Sequence, residues 1–173
     1  MILTTLAMLA ATTLADPDPL APGRSGQVQC YGPDVELKTC ESIGSYRFEP
    51  DGRIINKAEN VVNASPRIVV IAEGEVYVRD NAECTSDTIA TPDHVLSVEI
   101  DGEPLTGAGL DLVRQQMATG LNEMIGEGEY CSTYHSKPDG SMIALVTVAG
   151  QPRPDLTSTV RWVRLEDGWR LQP

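Results

Sequence analysis

Residues 67–79 read RIVVIAEGEVYVR, and how that stretch is divided decides the fold. Ile68-Val69-Val70-Ile71 is continuously apolar, the pattern of a strand covered on both faces. Beyond it, Val76 and Val78 alternate with Tyr77 and Arg79, as in a strand with two unlike faces. Between the two lies Glu73-Gly74, and glycine supplies the positive φ that a tight hairpin turn needs. The stretch therefore predicts two strands, 67–72 and 75–79, joined by a turn at Glu73-Gly74.

Four Asp-Gly pairs extend the same reading along the chain, each between runs suited to strands. Asp51-Gly52 joins 46–49 to 53–56, Asp101-Gly102 joins 95–100 to 103–105, and Asp139-Gly140 joins 131–136 to 142–148. Asp167-Gly168 is read as joining 157–165 to 169–171. One helix interrupts the hairpins, over about 109–125. Leu110, Val113, Met117, Leu121 and Met124 fall on a single stripe, widened by Leu112 and Ile125, and Gly126 and Gly128 stop it. The expected fold is α+β: an antiparallel sheet built of hairpins with one amphipathic helix packed across it. Over the second half, a helix followed by four antiparallel strands resembles the element order of cystatin-like and nuclear-transport-factor-like folds. The resemblance is one of order alone, with no family motif accompanying it, and such folds carry many functions.

Residues 1–15, MILTTLAMLAATTLA, hold no charged side chain and fall short of the ~20 residues that span a bilayer. They are read as a signal peptide cut after Ala15. Residues 16–26, rich in Pro, Gly and Asp, are read as a flexible tail, and 27–173 as a single α+β domain with no further membrane span. The four cysteines, Cys30, Cys40, Cys84 and Cys131, are an even set without metal-ligand spacing, which in an exported chain predicts two disulfides. Three connectivities are open. Cys30–Cys40 with Cys84–Cys131 is preferred, because the first pair closes a local loop around Gly32-Pro33.

A net charge of −12, from 13 basic and 25 acidic residues, excludes the polyanion-binding classes. Nucleic acid and anionic membrane surfaces reward clustered Lys and Arg, which are missing here. The carboxylates from Glu73 to Glu103, including Glu75, Asp80, Glu83, Asp87, Asp93, Glu99 and Asp101, show no calcium-loop pattern and are read as a solvated acidic edge. The two histidines, His94 and His135, have no catalytic partner in sequence, and no G-x-S-x-G is present. Asn63-Ala64-Ser65 matches the glycosylation pattern, with Pro66 following it. The C-terminal stretch reverses the charge: Arg153, Arg161, Arg164 and Arg170 lie among Trp162 and Trp169. Arginine with tryptophan is the composition of binding hot spots, so Arg161, Trp162, Arg164 and Trp169 are the candidate contact residues.

No catalytic residue, metal site or cofactor is called for. The expected role is that of a secreted or periplasmic, disulfide-containing domain that binds a protein or small ligand at the cell envelope. The alternatives are a hydrolase or other enzyme whose site is invisible in sequence, and an acidic inhibitor of a basic secreted enzyme. Titratable groups converging in a concave pocket would favour the enzyme. An exposed apolar or arginine–tryptophan patch would favour the binding module.

Overall fold

In a computed structural model that describes residues 18–85, 91–126 and 128–172, Arg67–Arg79 is one unbroken strand. Glu73 and Gly74 lie inside it, opposite Lys57 and Asn56 of the neighbouring strand. The chain reverses later, at Asp80-Asn81, where both residues take left-handed φ values of 51° and 59°. Asp and Asn reach that region at lower cost than most side chains, so this pair can serve as a turn without glycine.

The strands are, in chain order, β1 (Val28–Tyr31), β2 (Thr39–Cys40), β3 (Ser42–Phe48), β4 (Ile54–Ala64), β5 (Arg67–Arg79), β6 (Ala82–Thr85) and β7 (Val95–Ile100). Then come β8 (Glu103–Pro104), β9 (Tyr130–Ser136), β10 (Met142–Val148), β11 (Gln151–Pro152), β12 (Ser158–Val163) and β13 (Arg170–Leu171). Helix α1 (Ala21–Arg24) precedes them, and α2 (Gly107–Ile125) lies between β8 and β9.

Eight of these strands close into an antiparallel barrel in the order β4-β3-β1-β12-β10-β9-β6-β5, with β5 pairing back onto β4. The expected α+β sheet of hairpins with a helix across it is therefore corrected to a mostly β fold, a closed barrel plus one long helix. Two features hid the closure. The seams β1–β12 and β6–β9 join residues far apart in sequence, such as Val28 to Val163 and Cys84 to Cys131, and no local turn announces them. Strand β5 also serves three neighbours: β4 along almost its whole length, β7 beside its first half and β6 beside its second. Splitting it at Glu73-Gly74 removes the strand that closes the ring. The likeness in element order to cystatin-like and nuclear-transport-factor-like folds ends here too, because β12 passes on to the N-terminal β1 rather than to an open edge.

Three of the four Asp-Gly turns join the strands they flank, β3 to β4, β7 to β8 and β9 to β10. The fourth does not. After Asp167-Gly168 the chain forms β13, which runs parallel to β2 and lays a strap on the outer wall. There Trp169 and Leu171 pack against Val28, Cys30, Cys40, Ile43 and Val163. In α2, Leu110, Val113 and Met117 cover Val70, Val95 and Val98, while Leu121 turns toward Val146 and Val148 and Ile125 packs beside them. Leu112 and Met124 of the expected stripe are exposed.

The flexible tail expected at 16–26 is not what residues 18–26 form. Leu20 is fully buried, its amide donates to Asp18 Oδ1 (2.9 Å), and Asp18 pairs with Arg24 across the one-turn α1. The expected signal peptide, 1–15, lies outside the described residues.

The bridges are Cys30–Cys40 and Cys84–Cys131, the preferred pairing, with Cα atoms 5.2 and 4.1 Å apart. The second staples directly opposed residues of β6 and β9. Loop-closure entropy scales with the 10 and 47 residues enclosed, giving about 3 and about 4 kcal/mol. Replacing Cys84 and Cys131 together by Ser should therefore cost more in urea unfolding than replacing Cys30 and Cys40. The reverse order would contradict this account.

Candidate functional site

Barrel strands point alternate side chains inward. The register fixes which ones: Gln29, Gly44, Ala58 and Ala72 stand side by side across β1, β3, β4 and β5. Three of those four neighbours are Gly or Ala. An eight-stranded ring is just wide enough for side chains to fill it, so a row this small leaves space. Gly74 lies one inward position further along β5, and a Cβ placed there meets nothing within 4 Å. The result is a cavity of about 390 Å³, within the range of small-molecule sites. One end of the interior is plugged: Leu20 packs with Ile54 and Val76, flanked by Tyr46, Phe48 and Trp162. Leu121 of α2 and His94 also line the cavity.

Its polar groups converge on Glu83. Alternation on β6 sends Ala82 and Cys84 to the outer wall, where Cys84 meets Cys131, and sends Glu83 inward beside Ser132. Tyr134 donates to Glu83 Oε2 at 2.6 Å, and Tyr46 lies 2.8 Å from both carboxylate oxygens. Behind them is Gln29, fully buried, whose Oε1 accepts from Tyr31 and lies 2.7 Å from the Tyr46 hydroxyl as well. Tyr31 and Tyr134 touch through their hydroxyls at 3.4 Å. No Lys or Arg lines the cavity among the described residues.

Burial pushes the Glu83 carboxyl above the ordinary carboxylate range, and hydrogen bonding from Tyr134, Tyr46 and Gln29 pulls it back only in part. Burial likewise holds the Tyr31, Tyr46 and Tyr134 phenols well above their usual value, with the Glu83 charge adding to it. The tyrosines are therefore neutral donors at pH 7. Three phenol protons serve several oxygen–oxygen contacts, so a proton on Glu83 also finds acceptors.

The sequence-expected contact residues do not share a face. Trp162 belongs to the interior, 5.9 Å from Tyr46, whereas Trp169 lies on the outer strap. Arg161, beside Trp162 on β12, opposes Cys30 and donates through Nη2 to the Asp139 carbonyl, while Arg164 lies 3.6 Å from Glu166. His135 is on the exposed outer side of β9. Among the described acidic residues expected as a solvated edge, Glu83 is the exception, and Asp87 lies outside the described residues. Cys84, Cys131 and Glu129 group closely enough to hold a metal, but both sulfurs are committed to the bridge. Sequence reading missed Gln29, Tyr31, Tyr46, Glu83 and Tyr134. One signal was present: if Cys84 bonds Cys131, then Glu83 and Ser132, and with Ser132 the alternating Tyr130 and Tyr134, must share the opposite face.

A carboxyl whose folded-state pKa is raised adds stability that is full below the unfolded value and is lost as pH rises through the folded one. Glu83→Gln removes the charge and keeps the shape. The variant should melt above the parent at pH 8, by about 2–4 °C for each kcal/mol relieved, with the gap closing toward pH 4. Thermal unfolding across that range is the check, and a gap independent of pH would contradict it.

No protein-family model, curated protein or solved structure matches the chain, so the cavity itself carries the functional reading.

Proposed function

We propose that the protein is an exported binding protein that holds a small organic molecule inside its barrel at the cell envelope. The observation that carries this reading is the cavity of about 390 Å³, kept open by Gly44, Ala58, Ala72 and Gly74 and furnished at one side with convergent polar groups. Interiors close-pack, and a space this large with mixed apolar and polar walls is what a ligand of modest size requires. The two bridges fit an oxidising compartment, secreted or periplasmic. No described helix is long and apolar enough to cross a membrane.

A second reading has a specific observation in its favour. Titratable groups do converge in a concave pocket, and a carboxyl with a raised pKa is the raw material of acid–base catalysis. Against this, both Glu83 oxygens already accept from tyrosines, and those tyrosines are too weakly acidic to act as bases at neutral pH. Such a carboxyl is built to orient and hold.

The binding reading is tested with N-phenyl-1-naphthylamine, an apolar fluorophore that is uncharged at pH 7. Its emission should rise on binding to the parent. Gly74→Leu, which directs a side chain into the empty space, should weaken binding at least tenfold with no loss of thermal stability. No emission change with the parent, or equal binding to the variant, would overturn the reading.

A further inference from the structure

Resting on that reading, we infer that the ligand is an organic cation, an ammonium group carried on a compact apolar body. Glu83 is placed inside a closed barrel with no basic residue lining the cavity among the described residues. A carboxylate in that position lacks the partner that ordinarily offsets its desolvation. Around it stand the rings of Tyr31, Tyr130 and Tyr134, all facing the cavity. Aromatic faces attract cations, and a desolvated ring box with one carboxylate is a recognised way to select ammonium groups over neutral isosteres. The tyrosine hydroxyls already point at Glu83 and fix its orientation, leaving the remaining carboxylate lone pairs for an N–H donor.

Charge on the approach agrees. The chain carries a net charge of −12. A net negative field concentrates cations and repels anions. The groups facing Glu83 and its cavity are Tyr31 on β1, Tyr46 on β3, and Tyr130 and Tyr134 on β9, with His94 lining it from the turn before β7, while Glu73 and Glu75 flank Gly74 and point to the outer side of β5, Glu73 lying 3.6 Å from Arg47. Because protonated Glu83 offers no charge, binding strengthens as pH rises through its titration.

The test compares 2-phenylethylammonium with 2-phenylethanol, its uncharged near-isostere, by calorimetry on the full mature protein at pH 8. The ammonium should bind at least tenfold more tightly than the alcohol, and Glu83→Gln should shrink that ratio to within about twofold. Equal affinities in the parent would overturn the cation inference while leaving the cavity reading intact. Failure of both compounds together with N-phenyl-1-naphthylamine would overturn both. The parent's ratio decides the matter even where the variant fails to fold.

Discussion

Closing eight strands into a ring creates an interior that side chains must fill or a ligand must occupy. In this barrel the decision is made by four neighbouring positions on three strands, Gly44, Ala58, Ala72 and Gly74. Larger residues there would have made an ordinary apolar core. Small ones move the tight packing elsewhere: to the Leu20 plug at one end, to the Val28–Ile43–Val163 cluster under the outer strap, and to the face of α2 that covers Val70, Val95 and Val98. The barrel is thus held largely from its ends and its outside, with two disulfides on the outer wall adding restraint where β1 and β6 are only four residues long.

The vacated centre gives Glu83 its character. A carboxylate on the outer wall would have been one more solvated charge on an acidic protein. Set inside, it loses water, gains tyrosine donors and acquires a raised pKa that solvent would never give it. Burying a charge without a partner lowers stability, and proteins keep such costs where function requires them. The tyrosines reduce that cost without cancelling it, since a phenol supplies a hydrogen bond and no charge. A cationic guest supplies what remains.

Some of this was legible in the sequence. The Asp-Gly turns at 51–52, 101–102 and 139–140, the helix and the short Cys30–Cys40 loop follow from local chemistry, which is what a single sequence exposes, and the second bridge follows by leaving Cys84 and Cys131 to pair. Glu73-Gly74 shows the limit. It has the composition of a turn, but a long neighbour, β4, holds it extended on one side, and tertiary pairing overrides propensity. The interior was hidden for a related reason. Reading a strand assumes that apolar residues face inward, and in β6 the assumption inverts: Ala82 and Cys84 are covered on the outer wall, while Glu83 faces the cavity. Trp162 was read as a surface anchor on the strength of its arginine neighbours. Alternation along β12 places Arg161 on the opposite wall from the tryptophan, and Arg164 lies past the end of the strand beside Glu166.

The central claim is that Glu83 is a desolvated carboxyl waiting for a positive charge. Side-chain carboxyl NMR of the protein, titrated free and then saturated with 2-phenylethylammonium, tests it most directly. The account predicts a Glu83 midpoint above the ordinary carboxylate range in the free protein and a clear fall on saturation, as the ammonium stabilises the ionised form. A midpoint in the ordinary range, or one that the ammonium leaves unmoved, would contradict it.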